Sequence, residues 1–551
     1  MQRFALLALA LPLFLLALSA CGGSDEGENG GDEPKLVKID QSKQIHILTA
    51  DKVAILDPHA TSDGGDTKVI IQVYETLVRV DPHDVTKLVG VLAETHSIDT
   101  SNPEQHSLVF KIREGASFHD DTKVDAAAVK KSLERIAFGT PEPSARPYGD
   151  EYASISEIVA DDMTLTIKLK DASGQITLRN LTMFPASIIS PKVIDATAEM
   201  SGPEATAHIS NNPIGSGPFK VESFDSSTGI TRLAANAKYW GGAPKIESVI
   251  YEQVSDNVVR FERFSKGDVE LCDELPRQRW PEVESNKNLD LHAEFVLNVC
   301  YLGMNAKHEK MQNIDLRHAI QLAIEREPLE ALYHGTARKA WSILSPKFPQ
   351  SLDASPLQDW NNDVAKRRER AKQLVASSGI GDTELKIYFP KNERPYLPQP
   401  TAIADKLRQQ LRSIGLNVSI QSVENGEFFP NTKQDDKYEL ILIGWMSDNG
   451  DPDNFYSPLT SSNPETGLPS GNNVARIFDP QVDMLLIKAQ TEFNPEVRKN
   501  LYRSAESLLQ NNVRGYVPLL NAQQAIGTVK RLSGLEVDAM GNYRLYKCEM
   551  K

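Results

Sequence analysis

Between Leu385 and Ile443 the chain repeats a single pattern regularly enough to fix its local architecture. Leu385, Ile387 and Phe389 alternate as a strand, and Pro400-Thr401 opens a helix with Ile403, Leu407, Leu411 and Ile414 on one face. Gly415 closes that helix, Val418 and Ile420 lie in a second strand, and Leu440 to Ile443 form a third. The last run is short, β-branched and bounded by turn residues, as in a strand buried on both faces. It ends in Gly444-Trp445-Met446-Ser447-Asp448-Asn449-Gly450-Asp451-Pro452-Asp453, an acidic loop punctuated by Gly and Pro. Ligands of open α/β sheets bind beyond the carboxyl ends of the strands. Asp448 is the first charge after the third strand, and Arg394, within Asn392-Glu393-Arg394-Pro395-Tyr396, follows the first. In a mostly parallel sheet the two loops share one rim. There the charges either meet a ligand or pair with each other or with solvent.

The N-terminus reads as an export signal. Arg3 precedes an apolar stretch from Phe4 to Leu18, then the small residues Ser19 and Ala20. Leu18-Ser19-Ala20-Cys21 resembles the lipobox of bacterial lipoproteins, with Cys21 the lipid-modified residue. Gly22 to Pro34 offers no apolar side chain to bury and reads as an extended spacer, so residues 1–20 form the signal and 21–40 the tether. No other apolar run is long enough to span a bilayer. A net charge of −15 over 551 residues argues against nucleic acid or an anionic membrane as an electrostatic partner.

The segment after the tether is rich in strands and poor in helices. A strand-like stretch from Gln44 to Leu56 leads into a Gly-rich loop, Thr61-Ser62-Asp63-Gly64-Gly65, either a plain surface loop or a place where backbone approaches a ligand. Phe110 to Phe118 reads as a strand, His119-Asp120-Asp121 as a turn, and Val129, Leu133 and Ile136 as one face of a helix starting near Asp125. Asp315 and Asp363 are the expected caps of two later helices, the second ending near Gly379. Cys272 and Cys300 fall in strand-like segments and could pair, although spacing does not fix connectivity. Cys548 stands apart, and no spacing favours a metal site.

Several ordered motifs together resemble the family-5 extracytoplasmic solute-binding proteins of bacterial ABC importers, most closely the dipeptide-binding members. They are Phe110-Lys111-Ile112-Arg113-Glu114-Gly115 with Phe118-His119-Asp120, Asn212-Pro213-Ile214-Gly215-Ser216-Gly217-Pro218-Phe219, Tyr239-Trp240-Gly241, Leu316-Arg317-His318-Ala319, Arg394-Pro395-Tyr396 and Gly444 to Phe455. The resemblance implies a two-lobed α/β fold of the periplasmic-binding-protein type (class II, or cluster C), with an extra α+β subdomain in the first lobe. Its expected boundaries are residues 41–304 for the first lobe with an insertion at about 76–190, 305–520 for the second, and a return of 521–551 to the first. In dipeptide-binding relatives the Arg matching Arg394 holds the ligand carboxylate and the Asp matching Asp448 holds its ammonium. Pro395, Tyr396, Trp445, Met446 and Ser447 complete that neighbourhood, and a loop matching Ser62, Asp63 and Gly64 adds contacts, although the relatives' loop is shorter. Relatives often carry a disulfide where this chain has Ser461-Ser462 and Ile477-Phe478.

The implied function is capture of short peptides for a membrane permease by an extracytoplasmic, lipid-anchored monomer, with no cofactor and no catalysis. Haem, glutathione or antimicrobial peptides are alternative ligands of similar folds, and an exported peptide hydrolase is the alternative from another class. No His stands beside Arg394 or Asp448 to ligate haem, and no HExxH, GxSxG or Cys/His signature supports a hydrolase. Gly450 and Leu459 occupy positions where a calcium loop starting at Asp448 needs oxygen ligands, so Asp451 and Asp453 are expected to brace the loop.

Overall fold

The computed structural model describes residues 41–139, 146–462 and 471–551. Residues 1–40, including Cys21 and the export signal, lie outside the described residues, as do 140–145 and 463–470. No described helix is long and apolar enough to cross a membrane.

The three strands expected from the alternating pattern are Leu385–Pro390, Val418–Val423 and Leu440–Met446. The first lies between the other two and runs parallel to both. Leu440 to Ile443 are buried on both faces, worth roughly 1.5–3 kcal/mol for each large side chain removed from water. Next to Leu440–Met446 runs Asn298–Met304, antiparallel and wholly buried, so the sheet is mixed and not mostly parallel. The helix Pro400–Arg412 buries Ile403, Leu407 and Leu411 against this sheet.

One strand ties the molecule together. Tyr516–Val529 pairs antiparallel with Asn298–Met304 through its first residues, and with Leu271–Cys272 and Leu289–Phe295 through its last. The sheet then continues into Gln44–Thr49, Ser248–Gln253, Ile230–Ala235 and Phe219–Asp225. At the crossing, Asn521 Nδ2 donates to the carbonyls of Val296 and Asn298 at 2.9 Å, and the Ala522 amide donates to Asn298 Oδ1 at 3.1 Å. A buried side-chain clasp thus holds these strands together.

The buried apolar residues form three clusters. One surrounds the Leu385–Met446 strands, a second surrounds Gln44–Thr49, and the third lies between Leu77 and Ile188 around the sheet Ala93–Asp99, Ser107–Ile112, Thr164–Leu169 and Ile155–Asp161. Against this last sheet packs the helix Ala126–Phe138, capped by Asp125 and burying Val129, Leu133 and Ile136 as their spacing requires.

Several local expectations are corrected. The strand beginning near Phe110 stops at Ile112, because Gly115 takes a left-handed φ of +83° and turns the chain. Asn313, not Asp315, caps the helix Ile314–Ala323, accepting from the Asp315 and Leu316 amides, and Asp315 falls in the first turn. Asp363 caps Val364–Ser378 and Gly379 closes it at φ +72°, as expected. The segment before Cys300 is richer in helices than its sequence texture indicates. Gly64–Val73, Gly202–Asn211 and Asn257–Ser265 are all helical there.

Cys272, Cys300 and Cys548 are free and buried. Cys272 and Cys300 pair with Gly527 and Leu520 of the shared strand. Seven residues of extended chain separate those registers by roughly 23 Å, far beyond the reach of a disulfide.

Candidate ligand-binding site

The loop after Leu440–Met446 is shaped by its own polar side chains. Ser447 Oγ accepts from the Gly450 amide at 3.0 Å, Asn449 Oδ1 from Asp451 at 2.9 Å, and Asp451 Oδ1 from Asp453 at 2.9 Å. Asn454 Oδ1 closes the loop by accepting from the Asp448 amide at 2.8 Å. Gly450 has φ +67°, and a Cβ there would lie 2.9 Å from Val85. A side chain at this position would therefore part the two surfaces.

Within this loop the three acids have different fates. Asp451 takes both terminal nitrogens of Arg498, at 2.9 and 2.8 Å, in a buried fork-to-fork pair. Arg498 holds its carboxyl below the usual carboxylate range against the effect of burial. Asp453 accepts from Ser457 Oγ at 2.7 Å and Gln490 Nε2 at 3.1 Å. Both therefore brace the loop. Asp448 has no cationic partner among the described residues. Burial pushes its carboxyl up to about 6, with only the Asn454 side chain acting the other way.

Arg394 stands in a tight turn in which its amide and that of Leu397 each donate to the other residue's carbonyl, at 3.1 and 2.8 Å. No described acid pairs with its guanidinium, which lies 5.4 Å from the centroid of Phe429, and its buried Nε has no hydrogen-bond partner. The Tyr396 side chain adjoins that guanidinium, and its ring also packs on Gly444 so closely that a Cβ there would overlap it. Tyr396 thus links the Arg394 turn to the strand that carries Trp445. The buried Trp445 Nε1 is likewise without a partner, while Met446 Sδ accepts from Gln524 Nε2 at 3.6 Å. Arg394 and Asp448 do not pair with each other, so the loops present a cation and an anion with no described opposite charge, and the unpaired Trp445 donor beside them.

Ser62, Asp63 and Gly64 are exposed, and no hydrogen bond or ion pair joins them to Arg394 or Asp448. Asp63 caps the helix Gly64–Val73, its Oδ1 accepting from Gly65 at 2.8 Å, so the Gly-rich stretch is largely a helix start. The loop borders an open depression of about 380 Å³ together with Asp51, Lys52 and Asp66.

Three residues not marked by the sequence reach this loop from the 77–188 segment. Asn180 Oδ1 accepts from Asn449 Nδ2 at 2.8 Å, and Asn180 Nδ2 donates to Glu151 Oε2 at 3.2 Å. Asp448 also raises the pKa of Tyr148 through its charge, after burial as the main cause. Nothing in the local sequence around Tyr148 or Glu151 distinguishes them from surface residues. No described group of three or more His, Cys, Asp or Glu could hold a metal ion.

Residues 87–467 match the family described as bacterial extracellular solute-binding proteins, family 5 Middle. A glutathione-binding protein of Escherichia coli K12 is 26% identical over 500 residues, covering 90% of this chain and 92% of the relative. Among solved structures, a dipeptide-binding protein from Pseudoalteromonas sp. SM9913 in complex with Met-Leu aligns with a TM-score of 0.79 at 22% identity, covering 92% of this chain and all of the other. A Helicobacter pylori periplasmic binding protein in complex with the peptide STSA aligns at 0.76 and 23% identity, covering 92% and 98%. These structures share the two-lobed fold. With the match extending over more than half of its length, this chain belongs to the family-5 bacterial extracellular solute-binding proteins.

Proposed function

We propose that this protein is the substrate-binding component of an ABC importer for short peptides, dipeptides foremost. Asp448 meets the ligand ammonium, Arg394 its carboxylate, and Trp445 walls the cleft between them. Lobe closure then presents the loaded protein to a membrane permease, because the ligand binds the closed arrangement better than the open one. In this reading the protein is not an enzyme, and it acts outside the cytoplasm, anchored by lipid on Cys21.

The observation that carries the proposal is the isolation of Asp448. A half-buried carboxylate gains from any cation that meets it, and the described residues supply none to Asp448. A free dipeptide is a zwitterion and supplies both missing charges at once. Arg suits the other terminus because its planar fork binds both carboxylate oxygens. The Met-Leu and STSA complexes of structural relatives support a peptide ligand.

Glutathione is the second reading, favoured by the 26% identical glutathione-binding relative. Calorimetric titration with di- to pentapeptides and glutathione separates the two, and mass spectrometry of ligand released on gentle denaturation identifies what the protein carries. Dipeptide binding with little response to glutathione is the expected result. Binding of glutathione alone overturns the peptide reading.

A further inference from the structure

Glu151 lies in the turn Gly149–Tyr152 of the inserted subdomain. Asn180 holds it twice, donating from Nδ2 to its backbone carbonyl at 2.9 Å and to its Oε2 at 3.2 Å. The same Asn180 accepts from Asn449, the neighbour of Asp448. Two side-chain hydrogen bonds therefore connect the Glu151 carboxylate with the loop that carries the ligand's proposed ammonium partner.

The charges around Glu151 are unbalanced. Asp448 and Asp453 face it from the second lobe, Asp150 from its own turn, and Tyr148 and Tyr152 flank it. The guanidinium groups of this region are committed elsewhere. Arg179 donates to the Val85 and Thr86 carbonyls and stands 4.0 Å from Asp451, which is already paired with Arg498. No described cation pairs with Glu151. Burial, then repulsion from Asp453, Asp448 and Asp150, pushes its carboxyl up to about 7, with Asn180 acting the other way.

We infer that Glu151 is a specificity-determining residue of this site, selecting peptides whose first side chain carries a second positive charge, as in Lys-X or Arg-X. The inference rests on the peptide reading above. One ammonium neutralises Asp448 and leaves Glu151 unmatched, whereas a dicationic N-terminal residue meets both carboxylates. Glutathione, with one ammonium and two carboxylates, brings a surplus negative charge to the cleft and is the poorest match of the three.

The test is calorimetric titration of Lys-Leu, Met-Leu and glutathione against the wild-type protein and Glu151→Gln. Gln keeps an oxygen for Asn180 and removes only the charge. The wild type is expected to bind Lys-Leu about tenfold more tightly than Met-Leu at pH 7.5, and Glu151→Gln to lose that preference. Equal affinities in the wild type, or a preference that survives in Glu151→Gln, overturn the inference and leave the peptide reading standing. If neither peptide binds the wild type, the peptide reading falls and this inference with it. Should the variant fail to fold, the wild type alone decides. Its preference for Lys-Leu must shrink between pH 7.5 and 5.5 as Glu151 gains a proton, and a constant preference overturns the inference.

Discussion

Asn449 and Asn180 share a hydrogen bond of 2.8 Å although 269 residues separate them in the chain. One stands beside the proposed ammonium partner and the other ends the helix Gly174–Asn180 of the inserted subdomain. Arg179 approaches Asp451 in the same contact, and Val80 and Val85 press on Gly450. The loop that carries the proposed ammonium partner therefore also packs against residues of the 77–188 segment. Asn449→Ala removes a bond worth about 0.5–1.5 kcal/mol from this contact. Peptide affinity should fall by about two- to tenfold with the unfolding midpoint nearly unchanged. An affinity equal to wild type would show that the bond does not bias closure.

Loss of either end of the charge clamp should be far more costly. Asp448→Ala or Arg394→Ala leaves the opposite ligand charge buried and unpaired, a penalty of roughly 3–5 kcal/mol. Titration calorimetry with a tight-binding dipeptide is the direct measurement. Unchanged affinity in both variants would sink the two-anchor reading, whereas a loss in one alone would leave a single-anchor site.

Binding should also depend on pH with a defined sign. The Asp448 carboxyl, pushed up to about 6 in the ligand-free protein, must be ionised to meet an ammonium, and the bound cation lowers its pKa. Binding therefore releases protons near neutrality, and affinity is fully present above pH 6 and lost as pH falls through it. Between pH 7 and pH 5 the affinity should drop about tenfold, the population of a group with this pKa setting the size. Repeating the titration in buffers of different ionisation enthalpy measures the proton release. A flat profile would place the Asp448 charge outside the binding equilibrium.

The pair between Asp451 and Arg498 is a matter of stability. The side chains are 1% and 7% exposed, and Arg498 also donates to the Ala489 carbonyl at 2.8 Å and the Tyr502 hydroxyl at 3.0 Å. Arg498→Ala strands a buried carboxylate and should cost about 3–5 kcal/mol in urea unfolding. The joint replacement of Asp451 by Asn and Arg498 by Met should recover much of that loss. A single-variant cost below about 1 kcal/mol would mean that water already reaches the pair.

The most legible part of the sequence was the stretch from Leu385 to Asp453. Apolar alternation marked its strands, Pro400 and Gly415 bracketed its helix, and the abrupt change after Ile443 marked the loop. Local chemistry carried those signals. It was less decisive at Phe110 to Phe118, where the apolar residues continue past a glycine that turns the chain. At Asp315 it pointed to a cap two residues inside the true start, where Asn313 serves. The mixed direction of the sheet and the separation of Cys272 from Cys300 follow from the path of Tyr516–Val529, which no local pattern encodes. Glu151 and Asn180 were invisible for the same reason. Their significance comes from a loop almost three hundred residues further along.

The path of Tyr516–Val529 also governs the order in which this protein can mature. That strand completes the sheets of both lobes, and just beyond it Gln72 Nε2 donates to the Tyr543 carbonyl while Gln72 Oε1 accepts from the Leu545 amide, across 471 and 473 residues of chain. A nascent chain lacking residues 516–551 has two unfinished sheets and an uncovered first helix, and contacts of such sequence separation form late and slowly. The first lobe, although synthesised first, therefore waits on the second.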